Sequence, residues 1–108
     1  MNNSLIILSF VLLSSFSYSD EVSSEQLQSY FDGDGLYYKV NSSTPFTGVV
    51  ADYFDNGQVK KTGNFKDGKE DGLWEFYYEN GQFDKKGNFK DQKREGLWKF
   101  YYESGQFE

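Results

Sequence analysis

From Gly72 to the end of the chain, apolar and polar positions alternate with the two-residue period of a half-buried strand. The pattern then repeats. Gly72–Phe83 reads GLWEFYYENGQF and Gly96–Phe107 reads GLWKFYYESGQF, ten of twelve positions being identical at an offset of 24 residues. A weaker copy, Gly48–Val59, lies another 24 residues upstream, and GNFKD recurs at Gly63–Asp67 and Gly87–Asp91. A fixed period of this length marks a stacked architecture in which one supersecondary unit recurs. The pattern predicts an all-β fold, an antiparallel meander of β-hairpins stacked side by side.

Asn80-Gly81 separates two alternating segments and is the preferred pair for a two-residue type I′ loop. Folding the chain there predicts that Tyr78 faces Phe83, Tyr77 faces Asp84, Phe76 faces Lys85 and Trp74 faces Gly87. On that register Trp74, Phe76, Tyr78, Phe83 and Phe89 share one face, and the Trp74 indole covers the bare backbone of Gly87. The other face carries Leu73, Tyr77, Asp84 and Asn88, with a tyrosine stripe at Tyr53, Tyr77 and Tyr101. Asn56-Gly57 and Ser104-Gly105 mark the matching loops. The opposite turns, in Lys66–Asp71 and Lys90–Glu95, are polar; Gly68 tolerates positive φ where its equivalent is Gln92. The last repeat lacks a return strand, which predicts either an incomplete chain or an open edge able to pair with another copy.

Ahead of the repeats, Ser23–Tyr30 predicts one or two helical turns capped by Ser23 or Ser24, forming a short N-terminal helical cap. Asp32-Gly33-Asp34-Gly35 reads as a polar turn, since the calcium-loop pattern fails beyond it. Leu36–Val40 reads as a strand. Leu5–Leu13 is an apolar run followed by small polar residues, which predicts a signal peptide over 1–19 and an exported protein. The domain reading is thus 1–19 leader, 20–35 helical and turn segment, and 36–108 repeats, the units falling at about 48–71, 72–95 and an incomplete 96–108.

Composition narrows the chemistry. Of the 108 residues 20% are aromatic, with 11 Gly and one Pro, which favours strands and tight turns over helices. The formal charge is −6, so nucleic acid and anionic membrane partners are disfavoured, apart from anchoring by an uncleaved leader, and a basic protein is the electrostatic complement. There is no His and no Cys, which removes the commonest general base, thiol nucleophile and metal ligands. Carboxylate pairs such as Asp52/Asp55 and Glu70/Asp71 have no second functional group beside them in sequence. The reading is therefore not an enzyme, with no catalytic residue, no metal and no cofactor.

Gly72-Leu73-Trp74, Tyr77-Tyr78-Glu79-Asn80-Gly81-Gln82 and Gly87-Asn88-Phe89-Lys90-Asp91 resemble the bacterial variant of the MORN repeat, and Pro45-Phe46-Thr47-Gly48 resembles its entry segment. The similarity is to YwqK-family antitoxins of toxin–antitoxin systems and covers about Leu36–Glu108. It implies a meander without enzymatic activity that binds and neutralises a partner protein. Two functions follow as expectations. The first is a protein-binding module, with Tyr53, Tyr77 and Tyr101 as its contact residues. The second is an exported carbohydrate or cell-envelope binder or scaffold, which requires Trp74 and Trp98 to be exposed.

Overall fold

The structure, a computed structural model, describes residues 20–30 and 33–108. The leader read in residues 1–19 lies outside the described residues, as does Asp32. The strands are β1 (Asp20–Val22), β2 (Leu27–Ser29), β3 (Tyr37–Lys39), β4 (Gly48–Tyr53), β5 (Val59–Lys66), β6 (Lys69–Tyr77), β7 (Phe83–Lys90) and β8 (Lys93–Phe100). They form one sheet in the order β1-β4-β5-β6-β7-β8 and a separate β2-β3 pair. From β4 to β8 neighbouring strands are antiparallel, the meander that the repeats predict, while β1 joins the edge parallel to β4. The N-terminal cap is mostly strand. Only Ser24–Gln26 is helical, a single 3-10 turn begun by Ser23, whose N–H donates to Gln26 Oε1 at 2.9 Å.

The hairpin loops at Asn-Gly are not the type I′ loops expected there. At Tyr78–Gln82 the Gly81 N–H donates to the Tyr78 carbonyl at 2.9 Å and the Tyr78 N–H to the Gln82 carbonyl at 2.8 Å. Within this loop positive φ falls on Gly81 alone, at 90°. This is a type I turn closed by a glycine bulge, not the two-residue type I′ loop. The type I′ geometry sits at the other end of the strands. Asp67-Gly68 has φ of 51° and 85°, and Asp91-Gln92 has 51° and 71°. Gln92 therefore adopts the same left-handed conformation as Gly68, at a steric cost that glycine avoids.

The bulge overturns part of the predicted register. Phe76↔Lys85, Glu75↔Lys86 and Trp74↔Gly87 pair as expected. Tyr77, however, pairs with Phe83, and Asp84 is the extra residue between the two pairs. One inserted residue reverses the side to which every residue beyond it points. Phe83 thus joins Tyr77 and lies on the opposite side from Trp74, where the continuous register had placed it with Trp74.

The Trp74 indole also has a different resting place. It lies over Gly63 of the preceding strand, where an added Cβ would collide with the ring, and Gly87 is covered instead by Trp98. Each indole N–H donates to a carbonyl at 3.0 Å, Trp74 to Asn64 and Trp98 to Asn88. The strand makes room by slipping register between Thr62 and Asn64, opposite Gly72, whose φ is 79°.

The core comprises Val22, Phe46, Val50, Phe65 and Trp74, with Leu27, Phe76, Phe89 and Trp98 packed against it. Phe65 and Trp74 meet edge to face at 5.5 Å. The β2-β3 pair covers this cluster, bringing Tyr37 to 5.4 Å from Phe65. Asp52 fastens the cover: its two oxygens accept from Ser24 N–H at 2.8 Å and Ser24 Oγ at 2.6 Å. At the far end, Tyr37 N–H donates to the Gly68 carbonyl at 2.9 Å and Gln92 Nε2 donates to the Gly35 carbonyl at 2.9 Å.

Candidate protein-binding face

The side of the sheet turned away from the core carries a line of rings that runs across the strands. Tyr77 stacks on Phe83 at 4.9 Å, Phe83 lies 5.7 Å from Tyr101, and Tyr101 lies 5.6 Å from Phe107. The line exists because each bulged loop delivers one aromatic residue from each of its two strands to the same side, at Tyr77 with Phe83 and Tyr101 with Phe107. At the first loop the pair is Tyr53 with Val59, so the line loses a ring there. The three predicted tyrosines occupy one repeat position, but Tyr77 and Tyr101 are joined through Phe83 while Tyr53 stands beyond them, 55% exposed. Phe83 and Phe107 belong to this surface and were missed: the register assumed for Asn80-Gly81 turned Phe83 inward, and no side was read for Phe107.

Charge frames the strip. The Lys86 ammonium sits 4.0 Å above Phe83 and 6.0 Å from Tyr101. The Tyr77 hydroxyl donates to Glu75 Oε1 at 3.2 Å. Burial, and then the Glu75 charge, push the Tyr77 phenol above its ordinary value. Leu73 and Leu97 add exposed apolar surface, at 49% and 82%. Tyrosine and phenylalanine are among the residue types enriched at protein contacts.

The loops that carry the strip are tied to each other. Asn80 Oδ1 accepts from the Gln82 N–H at 2.9 Å, while its Nδ2 donates to the Glu103 carbonyl of the next loop at 2.9 Å. Asn56 does the same, closing on Gln58 N–H at 2.9 Å and reaching the Glu79 carbonyl at 3.1 Å. The Tyr78 hydroxyl donates to the Tyr101 carbonyl at 2.7 Å. Asparagine at the loop therefore sets the turn and fixes the spacing between modules.

The carboxylates weighed as acid–base pairs are arranged otherwise. Asp52 is occupied by Ser24 and lies 3.8 Å from Lys61. Asp55 is exposed on the loop. Glu70 faces a cavity of about 140 Å³ beneath the β2-β3 pair, and burial raises its pKa while Lys61 lowers it. Among the described residues no group of three or more His, Cys, Asp or Glu stands close enough to hold a metal ion, and no helix is long and apolar enough to cross a membrane.

Against protein-family models, residues 46–67, 70–91 and 94–106 match the MORN repeat variant, together more than half of the chain. The chain belongs to the MORN repeat variant family. Its three matched MORN segments begin at intervals of 24 residues, the period seen in the sequence and in the hairpins. MORN repeats serve in general as modules that bind proteins or membranes. No curated protein and no solved structure matched the chain.

Proposed function

We propose that this MORN repeat protein is a non-catalytic protein-binding module whose contact surface is the outer strip of Tyr77, Phe83, Tyr101 and Phe107, flanked by Tyr53. The observation that carries the reading is the unbroken succession of rings at 4.9, 5.7 and 5.6 Å on the side not used for packing. Stiff aromatic side chains lose little entropy on contact, and fixed spacing between modules lowers the cost of ordering the surface. The net charge of −6 favours protein over anionic lipid as the partner. An antitoxin-like role, in which binding masks a toxin, is one concrete form of this function, supported by the resemblance of the repeat to YwqK-family antitoxins. Export by the leader is part of the proposal.

The carbohydrate reading rested on open tryptophans. Trp74 is 2% exposed and offers no ring, and Trp98 is only part-exposed, so the tryptophans do not form the open pair that stacking on a sugar requires. The test is cross-linking capture with the full chain as bait, beside a Tyr77→Ala, Tyr101→Ala double variant. The expected result is a saturable protein partner lost on the double substitution at unchanged stability. Capture that ignores both tyrosines would refute the surface.

A further inference from the structure

The core side of the sheet is covered over one module, among the described residues. There the β2-β3 pair sets Leu27 and Tyr37 onto a floor of Val50, Phe65 and Trp74, with Lys61 and Glu70 beside them. A step of 24 residues carries that floor onto Trp74, Phe89 and Trp98, with Lys85 and Arg94 at the places of Lys61 and Glu70. The ring geometry is copied along with it. Phe65 meets Trp74 at 5.5 Å and 79°, and Phe89 meets Trp98 at 5.1 Å and 79°. The cover is not copied. Phe65 and Trp74 are buried, whereas Phe89 and Trp98 are part-exposed and Phe100 is exposed.

One of the two charges at this second floor is reversed. Arg94 stands where Glu70 stood, its guanidinium 4.6 Å from the Trp98 ring and 6.0 Å from Phe100. The Lys85 ammonium lies 4.8 Å from the Phe76 ring. Two cations thus edge an apolar floor on a chain whose net charge is −6.

We propose that the Phe89–Trp98 floor binds an extended segment of a partner protein that carries a leucine or aromatic anchor flanked by carboxylates. The anchor chemistry follows from what the chain itself lays on the preceding floor, Leu27 and Tyr37. The carboxylates follow from Arg94, since the Lys85 ammonium already lies 3.9 Å from Asp84 Oδ2. Apolar contact supplies the affinity, and the charges select the partner. The β2-β3 pair of a second copy does not fit along the same path. It needs the closeness of Gly68, where even a Cβ would lie 2.8 Å from that of Leu36, and the matching position is Gln92. The inference rests on the protein-binding reading but uses the opposite side of the sheet, so it fails separately from the tyrosine strip.

The test selects displayed short random peptides on the immobilised full chain, then follows enriched peptides by NMR at the two tryptophan indole N–H signals. Enrichment of leucine or aromatic residues next to Asp and Glu is expected, with a shift at the part-exposed Trp98 larger than at the buried Trp74. Arg94→Glu, an exposed change, weakens binding by at least about tenfold at an unchanged thermal midpoint, and Tyr101→Ala leaves it intact. Enrichment of basic peptides, binding indifferent to Arg94→Glu, or no enrichment at all overturns the proposal.

Discussion

The rings of Tyr77 and Phe83 stack at 4.9 Å across the strand pair, on the side of the sheet opposite Trp74. That contact divides the molecule's work. Trp74 and its neighbours face the cover and hold the fold, while Tyr77 and Phe83 begin a surface with no packing partner on its far side among the described residues.

Glycine beneath tryptophan is the tightest element of the fold. Gly63→Ala drives a Cβ into the indole of Trp74, a buried ring held by its N–H bond to the Asn64 carbonyl. Chemical denaturation is expected to show a loss of about 3 kcal/mol or more, as for overpacking at a closed site. Gly87→Ala meets Trp98 in the same way, but that ring is part-exposed and can swing out, so a smaller loss is expected. Equal losses would mean that the two modules are equally closed.

The asparagine tie between loops makes a graded prediction. Asn80→Ala removes the bond to Gln82 N–H and the bond to the Glu103 carbonyl. Each is worth roughly 1 kcal/mol or less at an exposed site. Asn80→Asp keeps the acceptor for Gln82 and loses the donor, so its urea midpoint should fall between wild type and Asn80→Ala. A midpoint for Asn80→Asp no higher than that of the alanine variant would remove the turn-setting role.

Asp52→Ala unfastens the cover. The two bonds from Ser24 vanish, and a carboxylate that accepts charge-assisted hydrogen bonds is worth about 1.5–3 kcal/mol. Hydrogen exchange should accelerate at Leu27–Ser29 and Tyr37–Lys39 while β7 stays protected. Uniform acceleration across all strands would show that the cover and the sheet open as one unit.

The half-buried Glu70 gives stability a pH dependence of definite sign. Burial raises its folded pKa above the ordinary 4.5, so the folded state holds the proton more tightly than the unfolded chain. The penalty is absent below the unfolded value and grows as pH rises through the folded one. Glu70→Gln is therefore expected to stabilise modestly at neutral pH, within about 0.5 kcal/mol, with the difference vanishing on acidification to pH 4. Destabilisation at neutral pH would show that Lys61 outweighs burial.

Much of the fold was legible because its cause is periodic. Recurring Gly-Leu-Trp and Gly-Asn-Phe segments fixed the hairpins, their order and the pairing from Trp74 to Phe76. The error began at a single residue. Asn-Gly is compatible with a type I′ loop and with a type I turn closed by a glycine bulge, and only the second leaves Asp84 over and turns Phe83 outward. Asn80 prefers the second because its side chain closes on Gln82 and reaches Glu103, a partner 23 residues away that local pattern does not reveal. The tyrosine stripe was readable from spacing alone. Its two phenylalanines were not, since their side depends on that bulge. The resting place of Trp74 was hidden for a related reason: pairing names the residue opposite, whereas the indole leans onto the strand before.

The most direct measurement is the set of proton–proton contacts of the Phe83 ring, read by NMR on the full chain with labelled aromatic side chains. Contacts from Phe83 to the rings of Tyr77 and Tyr101, with none to Trp74, are expected. Contacts between Phe83 and Trp74 would put both on one side of the sheet, dissolve the outer strip, and contradict the account.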